Sequence, residues 1–274
     1  MEIDHVLIFL AGLGGGFLAG LLGIGGGVIY ILILPWALRG VGVADQEIAQ
    51  HVVANSIFGT MVASLFASIT LIRNEDFYWK QVAIVGLSGV VVSYLLLFFF
   101  VNTPYYSERI FNSAVIVFLA LILVTTFNKS DKQLLFKEPV KNHKNWYIFT
   151  GGTAGAVAAL SGLGGGTVVV PLLKSGLHWD IKKAKSISLG VIMITSTLMT
   201  IFNMIDRPDQ QFAGSSIGYI VFPVVLPLSV GVLLSSPLGV KVANKISSHV
   251  ISYIFAGFLI LVIIRKAISL LQSF

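Results

Sequence analysis

Two glycine runs carry the chemistry this chain could perform. Gly23-Ile24-Gly25-Gly26-Gly27 and Gly162-Leu163-Gly164-Gly165-Gly166 lie in apolar stretches 139 residues apart. Glycine costs about 1 kcal/mol relative to alanine at each helix-interior position. Each stretch is therefore expected to break at its run and resume as a new helix near Val28 and Val168. The first N–H groups of a resumed helix have no intrahelical partner, and the dipole adds roughly half a positive charge there. Glycine lets a ligand approach such a backbone closely. Two termini of this kind, built from Gly25, Gly26 and Gly27 and from Gly164, Gly165 and Gly166, would cradle an anion without a charged side chain. On that reading a bulky residue at Gly26 or Gly165 abolishes binding and leaves the fold intact. The competing reading is packing. It is preferred for Gly12, Gly16 and Gly20 and for Gly151, Gly155 and Ala159, whose spacing of four lets helices approach closely.

The segment after each glycine run is polar for so apolar a chain. The first carries His51, Asn55, Ser56, Thr60, Ser64 and Ser68, and the second Ser186, Ser188, Thr195, Ser196, Thr200 and Asn203. Helical spacing puts Ser56, Thr60 and Ser64 on one face. Aligning Ala49 with Ala184 pairs Thr60 with Thr195. Uncharged donors can complete a shell around an oxyanion, and Asn55, Ser56, Thr60, Ser186, Ser188 and Thr195 are the candidates. For a single hydroxyl the competing reading is a bond back to its own helix. Asn55 says more, because an amide at that depth needs a partner. His51 and Lys185, near segment mouths, could gate the site or anchor at the interface.

Other chemistries are excluded. The chain has no cysteine, so thiolate metal sites and thiol nucleophiles are absent. No His/carboxylate spacing suggests a metal, and no nucleophile–base–acid set suggests an enzyme, so neither cofactor nor catalytic residue is expected. Neither run is followed by Lys-Ser/Thr, and the dinucleotide pattern fails at Val28 and Thr167. All acidic residues fall in connections or at the N-terminus, unlike the carboxylates that cation carriers place at depth. The net charge of +6 comes from short connections and marks topology, so no nucleic-acid partner is expected.

The elements that must position these residues are membrane helices. The chain is 56% hydrophobic and 11% charged, with a mean hydropathy of +0.91. Apolar segments of about 20 residues, the length that crosses a hydrocarbon core, run at 6–38, 52–72, 82–101 and 110–127, then at 146–173, 186–205, 217–234 and 250–264. The predicted fold is an all-α integral membrane protein of two homologous halves, 1–128 and 146–274, joined by a cytoplasmic linker over 129–145. Each half has one glycine-broken segment and three transmembrane helices. If every segment crosses once, the halves point the same way and the loop with Lys174, Lys182, Lys183 and Lys185 lies outside, against the positive-inside rule. If each broken segment dips in and returns, the halves are inverted and that loop lies inside. The charges favour inversion, with Arg265 and Lys266 its weak point. Trp36, Trp79, Trp146 and Trp179 fall near segment ends, as an aromatic belt requires. The Gly/Ala faces could serve internal packing or a homodimer.

At the doubled motif the sequence resembles the TauE/SafE family of membrane permeases, often called sulfite exporters. The resemblance rests on Gly20-Leu-Leu-Gly-Ile-Gly-Gly-Gly27 and Ser161-Gly-Leu-Gly-Gly-Gly-Thr-Val-Val-Val-Pro171, and on the small and hydroxylated stretches at Ala49–Ser56 and Ala184–Ser188. It covers essentially the whole chain. Pro35 stands three residues later than Pro171 would place it, and the usual Gly-Thr-Ser reads Ala54-Asn55-Ser56 and Lys185-Ser186-Ile187-Ser188. The resemblance implies a transporter of small sulfur-containing anions, such as sulfite, sulfoacetate or other sulfonates, in a bacterial cytoplasmic membrane. An anion channel on the same site and a non-transporting membrane scaffold are the alternatives.

Overall fold

The structure is a computed structural model that describes residues 4–73, 77–127, 142–208 and 215–243, with 245, 257, 259–260, 262–268 and 270 beyond them. Among the described residues it is all-α apart from one short hairpin. Helix α1 (His5–Leu22) is capped by the Asp4 carboxylate, which accepts from the Val6 and Leu7 amides at 3.0 and 3.1 Å. It ends at Gly23, and α2 (Gly27–Gly40) begins after the glycine run. Helices α3 (Ile48–Arg73) and α4 (Trp79–Leu96) follow. A π turn over Leu97–Val101 prolongs α4 and closes with the Asn102 amide on the Leu97 carbonyl at 2.9 Å. Then comes α5 (Glu108–Phe127). Residues 129–141 of the expected linker lie outside the described residues, and α6 starts inside its last part.

The second half of the chain repeats the order. Helix α6 (His143–Ser161) is capped by the Asn142 side chain, ends at Gly162 and gives way to α7 (Gly166–Leu177) and α8 (Ile181–Ile205). The apolar segment expected at 217–234 starts differently. Strands β1 (Ser216–Ile217) and β2 (Ile220–Val221) form an antiparallel hairpin, and α9 (Phe222–Ala243) begins only after it. Most of the segment expected at 250–264 lies outside the described residues, but residues 262–268 are helical and are called α10.

The glycine-broken segments fold back on themselves. A continuous helix would hold Gly15 and Tyr30 about 22 Å apart. Instead the Tyr30 ring fills the space beside Gly15, and Gly14 faces Ile29. In the second segment Trp146 Nε1 donates to the Leu172 carbonyl at 3.1 Å, and the Trp146 ring covers Gly176. These residues would lie about 40 Å apart along an unbroken helix. So α1–α2 and α6–α7 are helical hairpins.

The hairpins pack crosswise. Helix α1 lies along α9, and α6 lies along α4; α3 touches α9 and α8 touches α4; α3 and α8 pack on each other. The small-residue ladders make the long contacts possible. Gly12, Gly16 and Gly20 sit against the main chain of Leu228, Val232 and Ser236, and α9 answers with Gly231 and Gly239 against Phe9 and Phe17. Gly151 and Gly155 sit on Val85 and Gly89. A Cβ at any of these positions would strike backbone, so the ladders are occupied within the chain.

The molecule is inside-out relative to a water-soluble bundle. Asn55, Ser56, Thr60, Ser64 and Ser68 of α3 are buried, whereas Leu87, Val91 and Leu95 of α4, Phe98 and Phe99 of its π turn, and Leu226, Val230, Leu233 and Leu234 of α9 face outward. Apolar outer faces of this extent need lipid to cover them. Five of the described helices are long and apolar enough to cross a membrane, and the protein is an integral, multi-pass membrane protein.

Candidate functional site

Each break is built in the same way. Gly23 and Gly162 end their helices in the left-handed conformation, with φ of +72° and +64°, and their amides donate to Ala19 and Ala158 carbonyls at 2.9 Å. Gly25 and Gly164 are left-handed again, at +81° and +77°. A side chain would cost about 1–2 kcal/mol at each of these four positions. Gly26 and Gly165 then cap the resumed helices without help from any side chain. The amides of Ile29 and Val168 reach the Gly26 and Gly165 carbonyls at 3.0 and 3.1 Å, which closes the first turn tightly.

The two breaks meet between α3 and α8. Gly27 lies on the Gly162 carbonyl and the Leu163 main chain, and Gly166 lies on the Gly23 carbonyl. Two hydroxyls tie them together. Ser56 Oγ on α3 donates to the Gly162 carbonyl at 2.7 Å, and Ser188 Oγ on α8 donates to the Gly23 carbonyl at 2.7 Å. Each serine therefore satisfies a helix-end carbonyl of the opposite hairpin, a group that a hydrocarbon setting would leave orphaned.

Thr60 occupies the centre of this crossing. It is the thirteenth residue of the 26 in α3 and is fully buried. Its methyl lies 2.9 Å from where a Cβ would stand on Gly25 and equally 2.9 Å from one on Gly164. Its hydroxyl has no hydrogen-bond partner. Several hydroxyls on these helices bond back to a carbonyl three or four residues earlier, as those of Ser64, Thr195, Ser196 and Thr197 do; those of Thr60, Ser68 and Thr200 have no partner, and of these Thr60 is the one set against both glycine runs. Another unpartnered hydroxyl near the breaks, Tyr30 OH, is buried beside Gly15 and Gly26 at the start of α2. Tyr30 was not among the residues expected from sequence. An aromatic residue three positions after a glycine run reads as core, and only the fold-back of α2 brings its hydroxyl to the break.

The other candidates are distributed as follows. The Asn55 amide is engaged by protein: its Nδ2 donates to the His51 and Tyr219 carbonyls at 2.6 and 2.9 Å, and its Oδ1 accepts from the Val221 amide at 2.9 Å. It holds the β-hairpin to α3. Thr195 is not brought to the breaks, because its methyl lies against Gly89 of α4 and its hydroxyl bonds to Val191 and Ile192. Ser186 is buried, two residues from Ser188 and so about 200° away around α8. His51, in the first turn of α3, is buried, with Nδ1 3.0 Å from the Glu47 carbonyl and its ring edge-on to Tyr219 at 5.1 Å. Lys185 reaches inward: its stem packs on Gly23 and its Nζ donates to the Leu21 carbonyl. An ammonium at the C-terminal end of α1 meets the negative end of that helix dipole and brings one positive charge close to the breaks.

The serine ties give the residue correspondence between the two α3-like helices. Ser56 matches Ser188, which pairs Thr60 with Ile192, and Ile192 touches Gly164 and Gly166 as Thr60 touches Gly25. The expected pairing of Thr60 with Thr195 is off by three residues. The connection after α2 runs over 41–47 and the one after α7 over 178–180 only, so no single offset spans the chain.

Comparison with known proteins agrees with this architecture. The sulfite exporter TauE/SafE family matches residues 8–266. A protein of Methanocaldococcus jannaschii described as a probable membrane transporter protein is 27% identical over 244 residues, covering 88% of this chain and 87% of its own. One of Haemophilus influenzae with the same description is 25% identical over 263 residues, covering 95% and 97%. No solved structure matches. With a family match over nearly its whole length, on a bundle whose apolar faces point outward, this chain belongs to the sulfite exporter TauE/SafE family and is a membrane transporter rather than an enzyme.

Proposed function

We propose that this transporter carries small sulfur-containing anions, of the sulfite, sulfoacetate and sulfonate kind, across the cytoplasmic membrane by alternating access. The carrier site is the crossing of the two breaks. The observation that carries the reading is the Thr60 hydroxyl, fully buried between Gly25 and Gly164 and without a partner. A buried hydroxyl left unpaired costs about 1–3 kcal/mol, and an oxyanion oxygen is the acceptor that would remove this cost. The first-turn amides of α2 and α7 add donors and positive potential. Tyr30 OH and the Lys185 ammonium lie close by. The family's description supplies the sulfur chemistry, and an amide-rich crossing with one ammonium beside it suits a compact oxyanion.

The two halves act as inverted repeats that rock about α3 and α8. The crosswise packing supports this, since α1 pairs with α9 as α6 pairs with α4. The reciprocal ties, Ser56 to Gly162 and Ser188 to Gly23, support it as well.

The test is sulfite and sulfoacetate counterflow in proteoliposomes with Thr60→Ser and Thr60→Val. Valine has threonine's shape without the hydroxyl. The expected result is that serine keeps flux and valine lowers it about tenfold or more, the worth of one hydrogen bond to an anion, with both variants melting near the parent. Normal flux in Thr60→Val would move the site elsewhere. Flux without counterflow would mean a channel, and no flux of any sulfur anion in the parent protein would overturn the substrate class.

A further inference from the structure

A second charged site lies away from the breaks, at the far end of α2. A cavity of about 420 Å³ opens between the last turns of α2, the start of α5 and α10. That size lies within the range of small-ligand pockets. Pro35 and Trp36 line one wall, and Arg39, Glu108, Arg265 and Lys266 supply the charge, three cations against one carboxylate. Arg39 is neutralised by its neighbours: its Nε meets Asp45 and its Nη2 meets Glu108, both at 2.7 Å. The other two cations make no ion pair with any described residue, and the Glu108 carboxylate, already bound to Arg39, acts on Lys266 only through space. Lys266 is 5% exposed, and its ammonium is held by the neutral Asn112 Oδ1 at 3.0 Å and by the Phe111 ring at 4.6 Å. Arg265, one residue earlier, is exposed and makes no ion pair with any described residue. Burying an ammonium against neutral partners is costly, and a second free cation beside it raises that cost. The charge asymmetry that orders the other connections does not account for these two residues.

We propose that this pocket binds a phosphate-class oxyanion, delivered as the headgroup of an anionic phospholipid. The phosphate would sit between Arg265 and Lys266, and the Pro35 and Trp36 wall would take the glycerol and upper acyl chain. The apolar wall distinguishes this site from a pocket for a free ion, which would want donors on every side. A guanidinium and an ammonium together give both planar and point-charge recognition of phosphate oxygens. Basic pockets between transmembrane helices are a known setting for lipid phosphates.

The experiment is thermal melting of the full chain in detergent, titrated with phosphatidylglycerol, with phosphatidylcholine, and with inorganic phosphate. A ligand that binds only the folded state raises the melting temperature by mass action. Phosphatidylglycerol is expected to stabilise, with phosphatidylcholine and inorganic phosphate without effect at matched concentration. Arg265→Gln and Lys266→Met should each weaken the phosphatidylglycerol response about fivefold. Arg265 is exposed, so its variant keeps the measurement valid even where Lys266→Met folds poorly. Equal stabilisation by phosphatidylcholine, or a phosphatidylglycerol response unchanged in Arg265→Gln, overturns the proposal. Stabilisation by inorganic phosphate that is lost in the same variants overturns the lipid as the source and keeps the phosphate chemistry.

Discussion

Asn55 and Thr60 are buried polar side chains five residues apart on α3, and their hydrogen bonds give them different work. Asn55 has both ends of its amide occupied by the β-hairpin and its own helix, so it acts on stability. Asn55→Leu would leave the Tyr219 carbonyl and the Val221 amide unpaired in an apolar setting, at about 1–3 kcal/mol for each group. A lowered melting temperature with unchanged anion affinity in the folded fraction is expected, and an affinity loss at parental stability would return Asn55 to the anion shell. The glycines behave less simply than the sequence suggests. A Cβ on Gly26 would strike Tyr30 and the Gly15 carbonyl, and one on Gly165 would strike Ala154. Bulky residues there disturb the hairpin before they disturb any ligand. The hydroxyl of Thr60 is thus a cleaner probe than the glycines that first drew attention. Its special status was not legible in sequence, because a lone threonine on a helix ordinarily bonds to its own backbone.

At the scale of elements, the breaks were legible because four glycines within five residues make a poor helix interior. They resume at Gly27 and Gly166, one and two residues earlier than expected. The fold-back of each pair was legible only through charge placement, since nothing local in Gly23–Gly27 dictates the angle at which α2 leaves. What fixes it is distant: Tyr30 against Gly15, and Trp146 against Leu172 and Gly176. Trp146 read as an interfacial anchor and in the structure also fastens a hairpin. The β-hairpin at Ser216–Val221 was hidden, because two-residue strands carry no periodicity and Asn55, its fastener, lies more than 160 residues away. The serine ties give a direct comparison between the hairpins. Ser56→Ala and Ser188→Ala each leave one helix-end carbonyl without a donor, so equal destabilisation of about 1–3 kcal/mol is expected from thermal melting. A loss confined to one variant would mean that the two breaks are held differently.

For the whole molecule, the contacts at the helix ends bear on the proposed inversion. Gln50 near the start of α3 donates to the Thr103 and Tyr106 carbonyls at 3.1 and 3.0 Å. Asn102 after α4 donates to Asp206 after α8 at 2.9 Å, and Arg39 in the last turn of α2 meets Glu108 at the start of α5 at 2.7 Å. All these ends belong to one side of the membrane when the broken segments dip and return. On the opposite side, Lys183 at the start of α8 lies over Tyr78 at the start of α4, 5.0 Å from the ring centre. Halves that pointed the same way would put Asn102 and Asp206 on opposite faces, and Lys183 and Tyr78 likewise. The chain has no native cysteine, so single substitutions report sidedness without background. Gln46→Cys, Tyr105→Cys and Arg207→Cys are expected to react with an impermeant maleimide from one side of the membrane, and Lys80→Cys and Lys241→Cys only from the other. Labelling of Arg207→Cys together with Lys80→Cys would overturn the inversion, and with it the pairing of two oppositely directed helix breaks on which the carrier site depends.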